Sequence, residues 1–205
     1  MMKKIAIGWI ALLMAGCGTS YRVTTDTFAN AEVIPSGFPW GTSFSIDSVQ
    51  KKNPLLEKQV AYKIAALLES RGYVAIDEDA AYQLRFHCKT TSEKVTVNVK
   101  QFTPAKTENK TGFVKNDQGK VIYEESSKVS SEWKEFPEER THYTKEISLY
   151  VLDGKEEVWR GSAKSVGERE DFREAVDYLL FSVMNYFGRD TQKSLVARVN
   201  ERDLK

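Results

Sequence analysis

Eight residues constrain the fold more than any other stretch of this chain. Tyr82, Leu84, Phe86 and Cys88 alternate with Gln83, Arg85, His87 and Lys89. A period of two cannot be laid on a helix, so this is a strand with one apolar and one wet face. Such a strand needs neighbours beside it and a layer over its apolar side. The surrounding sequence predicts both. Tyr21 to Phe28, rich in Thr, Val and aromatics, reads as a first strand, and Thr42 to Ile46 as a second after a loop carrying Pro35, Gly37, Pro39 and Gly41. Val95, Val97 and Val99 repeat the alternation. Ile147, Leu149 and Val151 form a further strand, which Asp153-Gly154 turns into Val158 to Ala163.

Two helices interrupt the strands. Asn53-Pro54 predicts a cap and a first helical residue, Leu56, Val60, Ile64 and Leu67 mark one apolar face, and Gly72 stands where a left-handed terminator belongs. A second helix is predicted from Asp171, with Glu174 as capping-box partner and a stripe of Phe172, Val176, Leu179, Leu180, Val183 and Phe187 before Gly188. The polar middle, residues 103–142, predicts a long hairpin turning at Asn116-Asp117-Gln118-Gly119, between Phe113-Val114 and Val121-Ile122-Tyr123. The expected class is α+β: two layers, a mostly antiparallel sheet with two long helices (54–71 and 171–187) on one face. Residues 21–188 would form a single domain and 189–205 a polar tail.

The N-terminus has a different character. Lys3 and Lys4 precede Ile5 to Met14, which carry no charge. That run is shorter than the roughly 20 apolar residues a spanning helix needs, and it has the charged and apolar regions of a secretory leader. Gly8, Gly16 and Gly18 make it poor material for a buried helix. Met14-Ala15-Gly16-Cys17 resembles the bacterial lipobox. That resemblance implies removal of residues 1–16, a diacylglyceryl group on the Cys17 thiol and acylation of its new amino group, with 17–20 as the lipidated N-terminus. Three acyl chains hold a protein on a membrane almost permanently, since each buried CH₂ adds about 0.8 kcal/mol. Gly18 stands where such lipoproteins carry Asp when retained in the inner membrane, which implies the outer membrane and a periplasm-facing domain.

Charge excludes one class of partner. Without Lys3 and Lys4 the chain keeps 28 of its 30 basic residues against 29 acidic ones, a net of −1. Nothing in that balance favours nucleic acid, whose recognition uses a concentrated basic face. With Cys17 lipidated, Cys88 is the only other cysteine, so no internal disulfide is expected.

Candidate chemistry is sparse. His87 and Cys88 are neighbours on a strand and point to opposite faces, so with His142 they predict no metal site. Ser48-Val49-Gln50-Lys51 and Ser131-Glu132-Trp133-Lys134 match Ser-x-x-Lys, and Lys110-Thr111-Gly112 matches Lys-Thr-Gly. Penicillin-interacting enzymes combine these two patterns with a Ser-Asp-Asn triplet, which does not occur here, and Asn53 opens the helix only after Lys51. Asp77-Glu78-Asp79 reads as a solvated turn. Phe38, Trp40 and Phe44 are aromatic candidates for contact with a partner, set against the plainer expectation that they close the end of a sheet. No catalytic residue, metal or cofactor is predicted.

Several of these segments together resemble the Gram-negative envelope lipoproteins that carry the domain of unknown function 4136. The likeness lies in Cys17, Thr42-Ser43-Phe44-Ser45-Ile46 and Leu67-Leu68-Glu69-Ser70-Arg71-Gly72-Tyr73. It continues through Ala81-Tyr82-Gln83-Leu84-Arg85-Phe86 and Val158-Trp159-Arg160-Gly161-Ser162-Ala163, and covers about residues 21–188. The family has no established catalytic residues, so the resemblance implies a fold and an address without a mechanism. The functional expectation is a lipid-anchored, non-enzymatic binding or scaffolding subunit with an envelope protein partner. The alternative is a periplasmic hydrolase whose Ser and Lys meet only in the fold.

Overall fold

The structure, a computed structural model, describes residues 20–103, 107–115, 117–129 and 132–204. The expected leader 1–16 and the expected lipidated segment 17–20 apart from Ser20 lie outside the described residues, Cys17 included. The elements run β1 (Ser20–Ala29), β2 (Ser43–Ser48), α1 (Pro54–Glu69), β3 (Val74–Ala75), β4 (Tyr82–Thr103), β5 (Thr107–Lys115) and β6 (Val121–Val129). Then come β7 (Glu132–Asp153), β8 (Glu156–Gly167), α2 (Arg173–Met184), β9 (Leu195–Asn200) and a short 3₁₀ turn (Glu201–Leu204). They form two compact units, one reaching Thr91 and resuming at Tyr143, the other Ser92–His142.

The first unit is α+β, as expected, around a seven-stranded sheet ordered β3-β2-β4-β7-β8-β1-β9. The sheet is mixed where a mostly antiparallel one was expected. β1 pairs antiparallel with β8 and β9, and β7 with β8, but β2 runs parallel to both β3 and β4. The physical reason is α1, which carries the chain back across the sheet after β2 so that the next strands enter in the same direction.

Helix α1 forms where its caps predict. The Asn53 side chain accepts from the Leu56 amide at 3.2 Å, and Glu57 accepts from the Asn53 amide at 3.0 Å. Val60, Ile64 and Leu68 are fully buried, and the chain leaves the helix through Gly72 at φ +82°. Helix α2 is shorter than expected, 12 residues, and the predicted capping box is not made. Glu174 is held by Arg169 at 2.8 Å instead. Asp171 accepts from the Arg173 amide at 2.9 Å and from its guanidinium, and these bonds hold the Asp171 carboxyl down at about 2. Phe187, past the end of α2, is still buried.

Both helices bury into one apolar core with Val23, Leu84, Phe86, Ile147, Leu149, Val151 and Trp159. The polar groups inside it are paired. Thr25 and Ser182 share a hydrogen bond of 2.6 Å, and Thr27 Oγ1 and Trp159 Nε1 both donate to the Arg189 carbonyl, at 2.8 and 3.1 Å. Lys145, only 5% exposed, donates to the Asp171 carbonyl. An ion pair between Lys63 and Asp177 links α1 to α2. Gly161 is a close-approach position: a Cβ there would sit 2.5 Å from the Trp159 ring and 2.6 Å from Val183.

Residues 189–205, expected as a polar tail, contain β9, which pairs with β1 from Ser20↔Asn200 to Thr25↔Leu195. Only Val199 of β9 is buried, so the strand is held by backbone bonds to β1 more than by its side chains.

In the second unit the predicted hairpin is present. β5 and β6 pair antiparallel from Thr107↔Val129 to Lys115↔Val121, with Gly119 at φ +74° in the turn; Asn116 lies outside the described residues. The parts of β4 and β7 that belong here carry exposed cross-strand pairs: Lys94–Glu139 at 3.8 Å, Lys100–Glu135 at 3.6 Å, and the Phe102 and Trp133 rings 5.4 Å apart.

Candidate functional site

The three aromatic candidates separate. Phe38 and Phe44 are 7% and 0% exposed, and their rings meet each other at 5.2 Å and each touch Tyr82 and Phe187. They are core, which corrects the reading of them as a contact surface; edge-to-face ring pairs satisfy them internally. Trp40 alone is open, at 84% exposure, with its ring laid across Gly72, where a Cβ would fall within 2.4 Å of three ring carbons. Tyr73 joins the same aromatic group, and burial raises its hydroxyl pKa against the opposing pull of Arg189 and Arg71.

The other candidates are not brought together. Ser48 Oγ donates to the Gln50 carbonyl at 2.5 Å, and Ser131 lies outside the described residues. Burial, with Glu57 adding to it, pushes the Cys88 thiol up to about 12, which leaves no thiolate at neutral pH. His142 belongs to the second unit. Asp77, Glu78 and Asp79 are exposed, and among the described residues no group of three His, Cys, Asp or Glu side chains is placed to hold a metal ion.

A site does exist on the wet face of the first unit's sheet. Leu84 and Phe86 enter the core, so Arg85 and His87 on the same strand emerge on the opposite side. Leu149 and Val151 do the same for Tyr150 and Leu152 on β7. With Glu157 of β8 and the chain just after β2, at Val49 and Gln50, these residues line a cleft of about 340 Å³. Nε of Arg85 is buried and has no hydrogen-bond partner among the described residues. Glu157, by contrast, is taken: Arg160 grips its two carboxylate oxygens at 2.9 and 3.0 Å. That hydrogen bond is the main reason the Arg160 pKa rises further. The same guanidinium lies 5.3 Å from the centroid of the Tyr150 ring and so fixes one wall. A second, more polar hollow of about 370 Å³ lies around Arg22, Thr24, Thr144 and Lys164.

Sequence reasoning placed Arg85 and His87 on a wet strand face but did not make a site of them. Charged residues at such positions are usually solvated one by one. Their convergence with Tyr150 and Glu157 comes from the strand order β4-β7-β8, which spans some 70 residues of sequence and leaves no local signal.

No protein-family model matches the chain, and no curated protein sequence matches it. Among solved structures it is similar to the PelC dodecamer from Paraburkholderia phytofirmans, with a TM-score of 0.40 and 11% identity over 82% of this chain and 99% of that one. It is also similar to a PDZ domain protein from Parabacteroides distasonis, with a TM-score of 0.42 and 12% identity over 89% of this chain. The chain spans only 40% of that PDZ domain protein.

Proposed function

We propose that this chain is a lipid-anchored envelope protein, tied to the outer membrane through Cys17, whose folded part is a non-enzymatic binding subunit facing the periplasm. In this reading both helices cover one face of the sheet as a second layer and the other face is left open for a ligand or partner. The observation that carries it is the cleft beside Arg85, a concave site whose lining offers hydrogen-bond donors and apolar walls, as binding sites do. The lipobox resemblance of Met14 to Cys17 and the likeness to the domain of unknown function 4136 support the address. An envelope protein partner fits the same reading, with the open Trp40 as its contact, since exposed tryptophans are favoured anchors in interfaces.

Fractionation of cells expressing Cys17→Ser tests the anchor. The variant is expected as uncleaved precursor or in the soluble periplasmic fraction, whereas processing and membrane attachment like the wild type would refute it. Crosslinking in intact envelopes tests the partner, which should be lost on Trp40→Ala while the melting temperature stays the same.

A further inference from the structure

We propose that the cleft is an oxyanion site, in which Arg85 holds a carboxylate or phosphate group carried on a small, partly apolar body. The inference deepens the binding-subunit reading by naming the ligand class.

The charges decide the sign. Arg85 brings a guanidinium cation to the lining. The one carboxylate in the lining, Glu157, is bound through both oxygens by Arg160 and is not available to Arg85. Asp47, the register partner of Arg85 on β2, is exposed and stands outside the lining, so among the described residues the lining itself holds a cation without a free carboxylate.

Desolvation makes that cation receptive. A buried N–H that bonds to nothing has given up water without a replacement, and Arg85 Nε is in that state. An entering oxyanion makes charge-assisted bonds to the terminal nitrogens of the planar guanidinium, a fork that fits two oxygens, and a small turn of the side chain would let Nε share in them. A neutral amide would return one weaker bond, and a cation would be repelled.

Shape limits the body. About 340 Å³ suits a small molecule. Val49 and Leu152 offer it apolar walls, and the Tyr150 ring, steadied by Arg160, offers a flat one. Ring-bearing acids suit this wall better than highly charged chains.

The test is a titration of the full-length protein in detergent micelles with benzoate and with inorganic phosphate, followed by the NMR signals of His87 and Tyr150. Benzamidine, which has the shape of benzoate and the opposite charge, serves as control. Saturable shifts with either anion are expected; stronger binding of benzoate points to a carboxylate ligand, stronger binding of phosphate to a phosphorylated one. Arg85→Gln should weaken the better anion by about tenfold or more, and Arg85→Lys, which keeps the charge and loses the fork, by less. Should Arg85→Gln fail to fold, the loss in Arg85→Lys decides. The proposal is overturned if neither anion binds, if benzamidine binds as well as benzoate, or if a folded Arg85 variant binds like the wild type. None of these results depends on Cys17, so failure of the anion site and failure of the anchor are separate outcomes.

Discussion

The two faces of one sheet follow different rules. On β7, Ile147, Leu149 and Val151 are fully buried, while of the residues that alternate with them Glu146, Tyr150 and Leu152 are half-open and Ser148 is covered. On β1, Val23, Thr25 and Thr27 go inward, and Arg22, Asp26 and Phe28 remain exposed. The inner residues are fixed by shape, because each fills space that nothing else can. The outer ones are fixed only by local pairs such as Arg160 with Glu157. Stability is thus carried by one set of alternate residues and the proposed recognition by the other, so one should be alterable without the other.

Substitutions can break this division, and the inner face should respond most. Ile64→Asp places an unpaired charge where the side chain is 0% exposed. We expect a loss of more than about 4 kcal/mol and no cooperative thermal transition by circular dichroism. A variant melting close to the wild type would mean that α1 does not cover the core. Gly161→Ala comes next, because the new methyl collides with both Trp159 and Val183. About 2–3 kcal/mol should be lost in urea titration, and an unchanged midpoint would show that the indole has room to move.

A finer cut on the inner face is Thr25→Val, which strands the Ser182 hydroxyl. The expected cost is about 1–2 kcal/mol. Adding Ser182→Ala should recover part of it, and strict additivity of the two changes would deny the 2.6 Å bond any coupling. The outer face should respond least. Arg160→Ala removes an exposed ion pair and a ring contact, and should change stability by no more than about 1 kcal/mol. A larger loss would show that the outer face also bears the fold.

The sequence made visible whatever depends on near neighbours. The alternation at Tyr82 to Lys89 marked β4, and Asn53, Pro54 and Gly72 bracketed α1 to within a few residues. The turn at Asp153-Gly154 joins β7 to β8 as expected. What stayed hidden depends on distant chain. Leu195 to Asn200 has little burial of its own and is a strand only because β1 lies beside it. Phe38 and Trp40, two residues apart in an aperiodic loop, carry nothing that says which turns inward. At the second helix the local capping signal misled, because Arg169 and Arg173 took the two acidic groups first. The cleft was the least legible, since its lining comes from four separate segments.

One pairing bears on the order in which the molecule can assemble. β1 is the first described strand, yet both of its neighbours, β8 and β9, come from the last third of the sequence. A chain that emerges N-terminus first exposes β1 long before either flank exists. Its backbone donors and acceptors stay bound to water, and its alternate apolar residues stay available to unintended partners. Closing a loop of well over 100 residues is an entropic toll that local contacts cannot reduce, and it makes for slow folding. The half-made chain therefore gains little by collapsing early, and the seven-stranded sheet can close only once the strand at Leu195–Asn200 has arrived.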